Sequence, residues 1–166
     1  MQESERVRTR LAFRKQMKGG KLMSLKEEVQ KASKQFYAGL NSMANGDSGP
    51  LADIWSHKAD VTTMHPIDGR EVGWDAVRGS FEQVAKIASK GKIELKDQLI
   101  QVDGDLAYEV GIESGQIALA GEQVTIDHRV TNIYQRQAGV WKIVHHHTDI
   151  SPAMMNVLRR LQAKAA

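Results

Sequence analysis

The apolar pattern of this chain changes period once, near Gly91, and that change constrains the fold more than any other feature. Upstream, apolar residues step by three and four. Leu25, Val29, Ala32, Phe36, Leu40 and Met43 line one face of a helix predicted over Leu25 to Ala44. Ser24 and Glu27 have the spacing of a capping box, in which hydroxyl and carboxylate each satisfy an orphan amide. The run Asn45-Gly46-Asp47-Ser48-Gly49-Pro50 stops that helix, and a short helix is expected from Leu51 to Ser56. A short strand from Val61 to His65 and a loop from Pro66 to Gly73 precede a third helix. That helix runs from Trp74 to Ala88 on the stripe Val77, Phe81, Val84 and Ala88, and Ser89-Lys90-Gly91 ends it.

Downstream the period is two. Ile93–Val102, Leu106–Leu119, Gln123–Arg136 and Trp141–Ile150 read as long strands. The turns between them, at Asp103-Gly104, Ala120-Gly121 and Gln137-Ala138-Gly139, are too short for anything but antiparallel neighbours. Ser151-Pro152 then opens a closing helix from Ala153 to Gln162. The fold class is therefore α+β. A twisted sheet of strands this long either curls or presents a broad face, and helices folded against a curled side would leave a cone. A long curved antiparallel sheet is wrapped by three N-terminal helices, with a short C-terminal helix, and the mouth offers a ligand cavity.

Composition narrows the chemistry. The 166 residues include no cysteine, which excludes thiol nucleophiles, iron–sulfur clusters, cysteine zinc sites and disulfides. No apolar run approaches the length of a membrane span and no secretory leader is recognisable, so a cytoplasmic location is expected. The net charge of +3 hides a division. Residues 1–22 hold seven Lys and Arg against two Glu, whereas residues 23–166 hold sixteen against eighteen acids. Residues 1–22 read as a basic, flexible extension, with an arm for nucleic acid or another anionic surface as the alternative; residues 23–166 read as one domain. The mildly acidic body has no basic stripe interleaved with aromatics, so nucleic acid is not an expected partner for it. Phosphate loops, nucleophile elbows and His-Glu-x-x-His motifs are missing.

Four segments, in order, resemble the nuclear-transport-factor-2-like superfamily, in its SnoaL-like and ketosteroid-isomerase-like group. They are Phe36-Tyr37-Ala38-Gly39-Leu40-Asn41 with Gly46-Asp47, then Met64-His65-Pro66 with Val72-Gly73-Trp74-Asp75-Ala76-Val77, then Gly104-Asp105-Leu106-Ala107-Tyr108, and finally Arg129-Val130-Thr131 with the run from Gly139 to Thr148. The last hairpin is also similar to the association domain of calcium/calmodulin-dependent protein kinase II. The resemblance implies the cone, and it implies either a cofactor-free isomerase, cyclase or dehydratase or a non-catalytic association module.

Within that frame His65 stands where the isomerases carry the acid that moves a proton, and imidazole can act as base and then acid. Tyr37 stands where they carry an oxyanion-stabilising phenol. His146 is the alternative polarising donor. The isomerases' second oxyanion donor has no acid to match it; Thr131 or Asn132 falls there. Strict alternation puts Val124, Ile126, His128, Val130, Asn132 and Tyr134 on one face with His146 and Thr148. Val77, His128, Asn132, Tyr134 and Thr148 are accordingly the expected ligand-lining residues, for a small apolar molecule. The same alternation sends Trp141, Ile143, His145 and His147 to the other face with Arg129 and Asp127. Arg129, Trp141, His145 and His147 are expected to form the contact of a homodimer. His145-x-His147 with Asp127 could also aim ligands at a metal, but two histidines on a strand are too common a pattern to predict one. The expectation is no metal and no cofactor.

Overall fold

The computed structural model describes residues 23–165, so the basic head at 1–22 lies outside the described residues. Helix α1 (Leu25–Met43) carries the capping box as expected: Ser24 Oγ accepts from the Glu27 amide at 3.2 Å and Glu27 returns the bond at 2.7 Å. A 3₁₀ turn (Gly49–Asp53) replaces the second predicted helix, because five residues beginning Gly-Pro cannot complete an α-helical turn and a half. Strands β1 (Thr62–Met64) and β2 (Glu71–Val72) precede helix α2 (Trp74–Ile87). The long strands follow: β3 (Ala88–Asp103), β4 (Leu106–Leu119), β5 (Glu122–Gln137) and β6 (Val140–Thr148). Helix α3 (Pro152–Ala165) closes the chain.

The architecture is the expected α+β, with a larger sheet than the meander alone. Six strands lie in the order β2-β1-β6-β5-β4-β3, and β1 joins β6 in parallel, Thr62 opposite His145 and Met64 opposite His147. Helix α2 passes into β3 without the predicted break at Ser89-Lys90-Gly91. Side chains of α1 and the residues after it hold that junction: Asn41 brackets Ile93 with bonds to its carbonyl and amide at 2.8 Å, and Asn45 reaches the Gly91 carbonyl at 2.9 Å. The apolar core fills the concave side, with Val29, Phe36, Leu51, Trp55, Val77, Tyr134 and Ile143 essentially without solvent contact.

A bulge alters the face assignment in β6. Ile133 pairs with His145 but Tyr134 pairs with Ile143, so Val144 is an extra residue with no partner. Alternation restarts there. Trp141 and Ile143 therefore turn inward with His146 and Thr148, while His145 and His147 stay outside. Trp141 is 4% exposed and its indole N–H donates to Glu28 of α1 at 3.0 Å. The expected place of Trp141 in an outer contact is thus corrected: strict period two fails wherever a strand carries one residue more than its neighbour.

The curl of the sheet depends on close approach of β3 and β4. Gly115 has φ of +153°, and a Cβ there would fall 1.9 Å from the Lys92 carbonyl oxygen. Gly121, in the β4–β5 turn, has φ of +85° and open space around it. Gly115→Ala should destabilise the protein by about 3 kcal/mol or more, combining strain with overlap, and Gly121→Ala by about 1 kcal/mol. Urea titration of both variants measures the difference.

Candidate functional site

Inside the cone an apolar cavity of about 80 Å³ lies between α1, α2, the inner sheet face and α3. Leu40, Phe81, Ile93, Ile117, Ile126 and Met154 represent its apolar walls. Four polar side chains also border it: His65, Glu113, His128 and His146. By the usual space taken by a buried water, the cavity has room for roughly five or more waters or for one small molecule.

His65 sits just beyond β1, where the chain turns at Pro66, and its ring packs edge-on against Phe81 at 5.0 Å. Its Nε2 lies 2.7 Å from Ser80 Oγ. The Ser80 hydroxyl has one proton, and that proton goes to the Val77 carbonyl oxygen at 2.7 Å. Ser80 can therefore only accept from the imidazole, which fixes His65 with its proton on Nε2. A Glu71 carboxylate oxygen 3.8 Å from Nε2 favours the same tautomer. Burial, with His146 nearby and only partly offset by Glu113, pushes the His65 pKa down to about 3.

His146 is fixed in the complementary way. Asn132 directs its amide N–H at Glu109 Oε2 at 2.8 Å, so its carbonyl oxygen faces His146. That oxygen lies 2.7 Å from His146 Nδ1, which must donate. The proton is on Nδ1 and the lone pair on Nε2. Burial outweighs the attraction of Glu113 and holds the His146 pKa at about 4. Both rings are neutral at physiological pH.

Behind them lie two carboxylates from one face of β4. Glu113 accepts from Tyr37 at 3.0 Å and from His128 Nε2 at 2.8 Å. Burial pushes its pKa up, but the His128 hydrogen bond, the nearby His146 and His128 imidazoles, and the Tyr37 hydroxyl together leave it below the ordinary carboxylate value. Glu109 has no solvent contact and accepts from Gln98 at 2.6 Å, Asn132 at 2.8 Å and Tyr134 at 2.9 Å. Burial first, then the two carboxylates, raise the Tyr37 phenol far above its usual range; Tyr134 is raised likewise by burial and Glu109.

Of the residues expected from sequence, His65, His146 and His128 border the cavity. Tyr37 does not: it is buried one layer back and its proton is committed to Glu113. Asn132 and Tyr134 are likewise buried behind the wall, where Asn132 holds His146. Val77 contributes its carbonyl to Ser80 rather than a side chain to the cavity. Thr148 borders a separate open groove with Val110, Arg129 and Asp149. Sequence reasoning missed Glu109, Glu113, Ser80 and Gln98. A signal existed in β4, where Ala107, Glu109, Gly111, Glu113 and Gly115 share a face. Among the described residues no group of three His, Asp or Glu side chains is placed to hold a metal, and no helix is long and apolar enough to cross a membrane.

Comparison with known proteins bears on this geometry. A candidate dehydratase of the NTF2-like (nuclear-transport-factor-2-like) family from Streptomyces avermitilis is 26% identical, with 76% of this chain and 96% of that chain covered and a TM-score of 0.67. A candidate ketosteroid isomerase from Shewanella frigidimarina is 21% identical over 72% of this chain and 92% of its own, with a TM-score of 0.59. The association domain of CaMKII from C. elegans is 16% identical over 75% of this chain and 96% of its own, with a TM-score of 0.58. The last two likenesses show the fold alone. No functionally curated protein matches the chain. The model of the SnoaL-like domain matches residues 29–155, and the chain belongs to that family.

Proposed function

We propose that the protein binds a small, largely apolar organic molecule in the cone and moves a proton on it without a cofactor, as an isomerase or lyase. One observation carries the reading: two neutral imidazoles, each with its N–H tied to protein, border one apolar cavity. A neutral imidazole keeps a free lone pair that can take a proton, and its conjugate acid then returns it. His65 is the leading acid/base and His146 the second. Tyr37 acts through Glu113 as a positioning residue rather than as an oxyanion donor. A volume near 80 Å³ suits a molecule much smaller than a steroid. The similarity to a candidate dehydratase favours elimination of water among the possible reactions.

A suitable probe is 4-hydroxybutan-2-one. A base takes a proton from the carbon next to its carbonyl, the C–O bond breaks, and the departing hydroxide receives that proton, giving but-3-en-2-one and water. The protein should accelerate this reaction over buffer. His65→Gln and His146→Gln should each lower the rate by roughly 10²- to 10⁴-fold while thermal unfolding shows a folded chain. Equal rates for wild type and the double variant, on this and other neutral β-hydroxyketones, would remove the catalytic reading.

The pH dependence has a defined sign. His65 faces His146, Glu113 and Glu71, and His146 faces Glu113, His128 and Asn132. With depressed pKa values of about 3 and about 4, both rings keep their basic form well below the ordinary imidazole value. The rate should hold level from pH 8 to about pH 5, whereas a base of ordinary imidazole pKa would fade below about pH 6.5.

We also infer self-association through the outer sheet face, consistent with the association-domain likeness. Leu99 and Tyr108 are each 46% exposed there, with Val110, Ile112 and Ile133 beside them and Arg129, His145 and His147 at one side. Such an apolar face on a curled sheet calls for a cover. Tyr108→Arg should leave stability within about 0.5 kcal/mol and shift a dimer to monomer by light scattering.

A further inference from the structure

The polar groups bordering the cavity differ from those of a site built to bind anions. Among the described residues, no lysine, arginine, serine, threonine, tyrosine, tryptophan, asparagine or glutamine borders it. Its only side-chain donors would be histidine N–H groups, and three of these are already used. His65 Nε2–H goes to Ser80, His146 Nδ1–H to Asn132, and His128 Nε2–H to Glu113. Ser80 and Asn132 cannot reverse these bonds, since Ser80 spends its proton on Val77 and Asn132 spends its amide on Glu109. What the wall keeps are acceptors: the second nitrogens of the His65 and His146 rings, and the Glu113 carboxylate.

We propose that this is an acceptor-only site, selective for a small neutral ligand that donates a hydrogen bond — a hydroxyl, enol or ring N–H — over isosteres that only accept. The proposal rests on the reading of this cavity as the ligand site, and adds the class of ligand. Its cause is the pair of tautomer-setting contacts, Ser80 on His65 and Asn132, backed by Glu109, on His146. A donor ligand fills a lone pair that no side chain of the wall satisfies, whereas an acceptor ligand leaves its own lone pairs and those of the wall unsatisfied. A carboxylate or phosphate would meet the Glu113 charge with no cation beside it.

The test is binding, not turnover, so its failure and that of the catalytic reading are separable. Pyrrole and furan have the same five-atom ring, and only pyrrole carries an N–H donor. Both suit a cavity about half the size of the roughly 150 Å³ that admits benzene in an engineered apolar site. The full chain, labelled with ¹⁵N, is titrated at pH 8 with pyrrole, furan and propanoate while the histidine ring nitrogens are followed by NMR. His65→Gln and His146→Gln assign the signals. The free protein should show His65 as the Nε2–H and His146 as the Nδ1–H tautomer. Pyrrole should bind on the order of tenfold more tightly than furan and shift the unprotonated nitrogen of one of these rings. Propanoate should not compete. The gentler Ser80→Ala variant releases the His65 N–H and should narrow the pyrrole preference without unfolding the chain. Furan or propanoate binding as well as pyrrole, no binding of pyrrole, an unchanged preference in Ser80→Ala, or the opposite tautomer on both rings would each overturn the proposal.

Discussion

Two carboxylates must be kept on the inner face of β4, and the order of the site depends on how that is done. Burying an unpaired carboxylate costs several kcal/mol even after relaxation. Glu109 avoids the cost with three donors from two strands: Gln98 on β3, Asn132 and Tyr134 on β5. Glu113 does so with Tyr37 from α1 and His128 from β5. These bonds tie α1 to the sheet and fix the orientation of each donor. They also explain why none of those donors is available to a ligand.

The consequences run outward from the carboxylates. Once Asn132 is turned toward Glu109, its oxygen can face only His146, and His146 is left with one tautomer. Apolar neighbours finish the work. Phe36 packs against His146 at 5.2 Å and Phe81 against His65 at 5.0 Å. Those rings exclude water from the imidazoles and hold them neutral. Charge is thus concentrated in a layer behind the cavity, while the cavity wall itself presents uncharged bases beside one carboxylate. The arrangement separates two tasks, orienting the imidazoles and keeping them dry, between the polar layer and the aromatic one.

Much of the scaffold was legible because periodicity reports burial directly. The stripe from Val29 to Met43, the capping box at Ser24 and the turns at Gly104, Ala120 and Gln137 appear where their spacing requires. The even residues of β5, from Val124 to Tyr134, are buried for the same reason. Alternation failed where its assumption failed. One extra residue at Val144 turned Trp141 inward, and nothing local to Trp141 marks a bulge three residues away. Tyr37 was expected to aim its phenol at the ligand. It is drawn inside by a carboxylate seventy-six residues later, which no local pattern encodes.

The sequence by itself determined the class of fold, the order of its elements and the identity of the titratable residues. Each of these follows from composition and from patterns that repeat over a few residues. Tertiary structure alone decided which of those residues share a hollow, which nitrogen of each histidine carries the proton, and that Glu109 and Glu113 are buried. Those properties are set by contacts between strands and helices far apart in the chain. A hydrogen bond's direction is fixed by what the partner's other atoms are bonded to, and that information exists only once the network has closed.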